Sequence, residues 1–176
     1  TLGCPKNLVD SRQMRSSLLR SGFIESHNAA GADIIIINSC SFINEAREET
    51  IDTIFEALQF KKKEKDAKVV LVGCFSERYA SEVRAEIPEL DLIIGTGKFR
   101  EISQLISAQF KIKINPADSR NWFQNCNFNH EKPYAYFRIA EGCSRSCAFC
   151  IIPTLRGSYK SYSLDSIKEQ YDEELK

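Results

Sequence analysis

Two continuous apolar runs, Asp33 to Asn38 (DIIIIN) and Lys68 to Gly73 (KVVLVG), constrain the fold of this chain more than any other feature. Neither alternates polar with apolar, as a strand with one wet face would. Each therefore reads as a parallel strand covered on both faces. Between them Ile51, Ile54, Phe55 and Leu58 follow Asn44 at i, i+3, i+4 and i+7, the spacing of an amphipathic helix. That stretch opens with Glu45, Glu48 and Glu49 and closes with Lys61, Lys62 and Lys63, a polarity that suits the helix dipole. The lysine run is read as a solvated helix end rather than an RNA contact.

The alternation continues on either side. After Cys4 and Pro5, Asp10 with Gln13 three residues on reads as a helix cap, Met14, Leu18 and Leu19 as the apolar face, and Gly22 as the stop. A short Phe23–Ile24 strand, a helix over Glu77–Ile87 halted by Pro88, a Leu92–Ile94 strand and a Lys98–Phe110 helix complete the pattern. Residues 1–110 are thus expected to form a doubly wound α/β domain with a parallel sheet. Residues 111–133 have turn residues but little periodicity and read as a linker. Within it Trp122, Phe123 and Phe128 are expected to pack down. Residues 134–176 offer a strand, Tyr134–Ala140, a cysteine loop and a helix, Leu164–Leu175, too little for a domain. The chain opens at Thr1, in what reads as a strand end, and stops at Lys176 inside a helical pattern. It is therefore expected to be a fragment.

Acidic and basic residues balance at 24 each, so no global field recruits nucleic acid or membrane. No run approaches bilayer length and no secretory leader is visible, which makes a cytoplasmic location the expectation. In such a compartment the seven cysteines point to metal or redox chemistry rather than disulfides. With only His27 and His130 beside them, a metal site would be thiolate-rich, favouring iron–sulfur or zinc.

Cys143, Cys147 and Cys150 enclose three residues and then two. Three such thiolates on one loop can hold three corners of a 4Fe–4S cube and leave the fourth iron open to a small molecule. This CxxxCxxC spacing resembles the signature of radical S-adenosylmethionine enzymes, in which it follows the first strand of a partial β/α barrel. Tyr134–Ala140 occupies that place, and Phe149 matches the aromatic residue that usually precedes the last cysteine. Zinc held by the three together with Cys126 or His130 is an alternative, although zinc ligands usually come in separate knuckles. A thioredoxin-type Cys147–Cys150 pair leaves Cys143 unexplained, and a c-type haem would need histidine where Ile151 stands.

Cys4, Cys40 and Cys74 are far apart in sequence, but each follows an expected strand. Strand ends in an open parallel sheet share one edge, where ligands bind. The three thiols are therefore expected to converge as ligands of an auxiliary 4Fe–4S cluster, rather than act as three buried small hydrophobes. Cys126, in the linker, has no partner motif and reads as structural.

In these contexts the chain resembles the methylthiotransferase family of radical S-adenosylmethionine enzymes. The matching residues are Leu2-Gly3-Cys4-Pro5-Lys6-Asn7, Asn38-Ser39-Cys40-Ser41-Phe42-Ile43, Gly73-Cys74 with Glu77-Arg78-Tyr79, and Arg138 through Cys150 to Arg156-Gly157. The GCPKN form around Cys4 is similar to the branch acting on small-subunit ribosomal protein 12, the RimO type, rather than to the branch acting on adenosine in tRNA. The resemblance implies methylthiolation of an aspartate β-carbon. S-adenosylmethionine would be cleaved at the loop cluster, sulfur presented at the auxiliary cluster, and the methyl group taken from a second S-adenosylmethionine. It further implies an electron donor such as flavodoxin or ferredoxin, and no nucleic acid beyond the ribosome. Arg156 and Arg145 are candidates to meet the cluster or the cofactor carboxylate, Arg145 reading more simply as a surface residue. Arg12 and Tyr162 depart from the family pattern, which usually has an acidic and a basic residue there. A metal-binding module without catalysis is the contrasting class.

Overall fold

A computed structural model describes residues 1–63, 67–115 and 134–174. The chain divides into two compact units. One comprises Thr1–Asn7 with Ile24–Phe99, the other Leu8–Phe23 with Arg100–Lys176.

In the first unit, β1 (Ile34–Ser39), β2 (Lys68–Gly73) and β3 (Leu92–Ile94) form a parallel sheet in the order β1–β2–β3. The central strand explains its own sequence, because Val69, Val70, Leu71 and Val72 are all fully buried and only Lys68, at its start, is partly exposed. Each such side chain contributes roughly 1.5–3 kcal/mol through burial. Helix α2 (Asn44–Lys63) leads from β1 to β2, and the short helices α3 (Cys74–Arg78) and α4 (Ala80–Glu86) lead from β2 to β3. Ile54, Ala57 and Leu58 of α2 join Val83 of α4 and Ile87 over Ile37, Val69 and Leu71. The strand residues in that cluster are spaced by two, as one face of a sheet requires. A doubly wound sheet needs a reversal of strand order, and the three described strands contain none.

The single helix expected over Glu77–Ile87 is two helices. Tyr79 leaves helical geometry at φ −121°, ψ 28°, its N–H closing α3 on Phe75 and its carbonyl opening α4 by accepting from Val83. Ile87, just before Pro88, likewise leaves helical geometry, at φ −130°, ψ 66°, and ends α4. Phe23–Ile24 is not a strand, nor is Thr1–Gly3, which makes one ladder-like bond, Leu2 N–H to the Asn38 carbonyl at 2.9 Å.

Helix α1 spans Pro5–Arg20. It starts a turn earlier than the Asp10–Gln13 cap would allow, with proline at its first position, where the missing N–H costs nothing. Asp10 and Gln13 are instead buried within the helix. Gly22 does end it. Phe23 N–H reaches the Leu18 carbonyl and Gly22 N–H that of Leu19, the paired bonds of a Schellman motif.

A 3₁₀ turn over Thr96–Glu101 runs into α5 (Ile102–Phe110) of the second unit, so the expected Lys98–Phe110 helix is regular only in its second part. Ile102 and Ile106 are fully buried. Of the expected linker, residues 116–133, including Cys126 and His130, lie outside the described residues. The expected strand Tyr134–Ala140 is mostly not a strand. Only β4 (Ala140–Glu141) pairs, antiparallel, with β5 (Lys160–Ser161). Arg138 is instead held by a side chain. The Gln170 amide of α7 (Leu164–Glu174) accepts its N–H at 2.8 Å and donates to its carbonyl at 2.9 Å. A short helix, α6 (Ile152–Arg156), follows the cysteine loop. Among the described residues no helix is long and apolar enough to cross a membrane.

Candidate metal centres

The β1–β2 register pairs Ser39 with Gly73. Cys40 and Cys74 are the next residues on their two chains, so both leave the same sheet edge side by side, and both are buried. The Cys4 segment is brought to that edge by Asn7, which is fully buried. Its amide donates to the Leu2 carbonyl at 3.0 Å and to the Ser39 carbonyl at 2.9 Å. In return Asn38 donates to the Asn7 carbonyl at 2.8 Å. The Cys74 Sγ lies 3.9 Å from Asn7 Oδ1. Gly3 packs directly on Cys40, and a Cβ there would stand 2.5 Å from the Cys40 Cβ and 2.6 Å from its Sγ. No residue with a side chain fits between Leu2 and Cys4 at that separation. Thr50 Oγ1 accepts the Cys40 N–H at 3.3 Å, and Ser41 donates to the Cys74 carbonyl at 3.1 Å. The sheet edge is thus wired from Asn7, Asn38, Ser41 and Thr50. From sequence, Asn7 and Ser41 were legible only as motif neighbours of the cysteines.

The second set lies on the loop between β4 and α6. Cys143 and Cys150 are half-buried and Cys147 is exposed. The mouth of the loop is closed by backbone. Cys143 N–H reaches the Gly157 carbonyl at 3.0 Å, and Tyr159 N–H reaches Ser144 Oγ at 3.0 Å. Gly142 has φ +71°, and a Cβ there would collide with the carbonyls of Ser158 and Gly157, so glycine is required beside the first cysteine.

A buried charge network joins the segments that flank the loop. Asp10, fully buried on α1, pairs through one oxygen with Arg138 and through the other with Arg156 at 2.7 Å. Glu141 adds contacts of 3.3 Å to Arg138 and 3.9 Å to Arg156. Burial alone would lower the pKa of Arg138, but the carboxylates of Asp10 and Glu141 outweigh it and hold the guanidinium above its ordinary value. Arg156, expected to meet a cluster or cofactor, is therefore engaged with two carboxylates. The Gln13 amide, one turn on from Asp10, is buried with no hydrogen-bond partner among the described residues.

Among the described residues no three His, Cys, Asp or Glu side chains already stand as a closed ligand set for one metal ion. The donor chemistry nevertheless fits a soft centre. Two groups of thiols, all free of disulfides, are each presented by backbone that a larger residue at Gly3 or Gly142 would block.

Residues 1–95 match the model of a family described as Uncharacterized protein family UPF0004. The chain belongs to that family. Its relatives include the ribosomal protein uS12 methylthiotransferase RimO of Leptospira biflexa, 39% identical over 97% of this chain and 39% of the relative. The protein of the same description from Thermodesulfovibrio yellowstonii is 42% identical over 98% of the chain and 39% of its own length. That from Anaeromyxobacter is 41% identical over 95% and 36%. The chain therefore spans about two fifths of the length of these relatives. Its resemblance to RimO-type methylthiotransferases, read first from the cysteine contexts, extends across nearly every residue.

Proposed function

We propose that this chain is part of a radical S-adenosylmethionine methylthiotransferase that modifies an aspartate of ribosomal protein uS12. Cys143, Cys147 and Cys150 hold a 4Fe–4S cluster that also takes S-adenosylmethionine, and Cys4, Cys40 and Cys74 hold an auxiliary 4Fe–4S cluster. The observation that carries this reading is the β1–β2 register, which aligns Cys40 and Cys74 at one sheet edge, with Gly3 beside Cys40. Two separate thiol sets, each on its own unit, suit a reaction that both generates a radical and delivers sulfur. When bound, these groups supply one-electron cleavage of a carbon–sulfur bond, a radical able to take hydrogen from an unactivated carbon, and sulfur for transfer.

The chain's own residues present the ligands. Asn7 fixes the Cys4 turn against the end of β1, Thr50 and Ser41 hold the backbone at Cys40 and Cys74, and Gly142 sets the entry into the loop. Residues 1–110 act as the domain carrying the auxiliary site, on the parallel sheet of β1, β2 and β3. Residues 111–133 act as a linker, and 134–176 as the start of the radical domain. A flavodoxin or ferredoxin in the cytoplasm would supply the electron.

The test separates the two thiol sets in the enzyme that contains this chain, supplied with a reductant, S-adenosylmethionine and either uS12 or tRNA. Cys147→Ala should abolish 5′-deoxyadenosine formation. Cys40→Ala should retain it but lose methylthiolation of uS12. A Cys147→Ala enzyme that cleaves S-adenosylmethionine at the parent rate would refute the loop assignment, and modification of tRNA alone would refute the substrate.

A further inference from the structure

We propose that Asp10 is a positioning residue for the cysteine loop, holding both of its ends and balancing the charge of the two arginines that flank it. This rests on the reading of that loop as a cluster site. Arg138 lies five residues before Cys143 and Arg156 six after Cys150, so the two arginines bracket the loop. Both end on the single carboxylate of Asp10, one on each oxygen. The three groups are almost completely buried, with side-chain exposures of 0% for Asp10, 8% for Arg138 and 4% for Arg156. Glu141, two residues before Cys143, touches both arginines and brings the group to two cations and two anions.

This arrangement has two consequences. Mechanically, the β4–β5 pair and the Cys143–Gly157 bond close the mouth of the loop, while Asp10 anchors what flanks it on a separate helix. Electrostatically, arginine does not lose its proton in a protein. Removing the Asp10 charge therefore leaves an uncompensated guanidinium near a site that, loaded, carries a thiolate-bound anionic cluster. An added positive charge nearby favours the reduced cluster. Such a shift in potential would not follow from a merely structural role.

The experiment uses the enzyme that contains this chain, reconstituted anaerobically with iron and sulfide. Cys40→Ala and Cys74→Ala are present in every sample, so that the loop cluster is observed alone. The reduction midpoint is followed by electron paramagnetic resonance, and iron release by transfer to a chelator. Asp10→Asn should move the midpoint to a more positive potential and speed iron release several-fold. Asp10→Asn with Arg138→Gln removes one charge of each sign, so the midpoint should return toward the parent while release stays fast. An Asp10→Asn chain matching the parent in both midpoint and release would overturn the proposal. Should that variant fail to fold, the charge-balanced double variant decides, and parent-like iron release in it would also overturn the proposal. A parent sample whose loop binds no iron would refute the cluster reading itself, and this inference with it.

Discussion

Replacing Asn7 with alanine should lower the stability of the sheet unit by about 2–3 kcal/mol. The magnitude follows from its contacts. The side chain is fully buried and donates two hydrogen bonds, to the Leu2 and Ser39 carbonyls at 3.0 and 2.9 Å. Each is worth about 1 kcal/mol net, and the buried Ser39 carbonyl also loses its Asn7 donor. The bond from Asn38 to the Asn7 backbone survives truncation, so the loss is not total. Asn7→Asp separates hydrogen bonding from shape. It keeps the volume but sets a carboxylate against the same two carbonyls, and should cost at least as much as alanine. Native-state hydrogen exchange at the β2 amides reads this unit by itself, which a whole-chain melt does not. The same variant should lower the iron bound by the Cys4, Cys40 and Cys74 set, because Asn7 holds the Cys4 turn to β1. A loss below about 0.5 kcal/mol, the scale of a neutral surface change, would refute the claim that Asn7 wires the sheet edge.

Other perturbations probe the frame around the sites. Leu71→Ala, in the fully buried central strand, should cost about 2–5 kcal/mol, measured by urea denaturation; a loss under about 1 kcal/mol, less than the transfer term alone for a buried leucine, would contradict the packing described. Lys61→Met should cost no more than about 1 kcal/mol, since its 2.7 Å pair with Asp91 is partly solvated and its 2.6 Å bond to the Glu89 carbonyl is exposed. Asp91→Ala should cost more, about 1–3 kcal/mol, because Asp91 also accepts the Val69 N–H at 2.7 Å; equal losses in the two variants would contradict that ranking. Gly142→Ala imposes a side chain at φ +71° against the Ser158 carbonyl. It should cost about 1–3 kcal/mol and strip iron from the loop set first, as read by metal analysis after desalting.

Much of the frame was legible because its signals are local. DIIIIN and KVVLVG are strands because a buried parallel strand has no wet face, and the observed β1 and β2 fall on them within a residue. The Leu92–Ile94 strand, the long helix from Asn44 and the Gly22 stop follow equally local rules. The misreadings occurred where tertiary partners decide. Asp10 with Gln13 satisfies the spacing of a capping box, but its carboxylate is used by two arginines more than a hundred residues away. Pro5, a favoured first residue of a helix, was the local signal that should have prevailed. Tyr134–Ala140 reads as a strand in the sequence, yet a strand exists only where a neighbour accepts its bonds. Beyond Ala140–Glu141 the described residues offer Arg138 the Gln170 amide instead. The juxtaposition of Cys40 and Cys74 depends on strand register, which neither run encodes alone, although both cysteines sit at corresponding places after their strands. Asn7 was visible as part of GCPKN, but its two carbonyl partners belong to separate segments.

The central claim is that two distinct thiol sets each hold a cluster. The most direct measurement is the iron, sulfide and zinc content of the anaerobically purified, reconstituted chain beside two triple variants, Cys4/Cys40/Cys74→Ala and Cys143/Cys147/Cys150→Ala. The account predicts about eight irons in the parent and about four in each variant, with matching sulfide. Zinc with little iron in all three samples, or a parent no richer in iron than either variant, would contradict it.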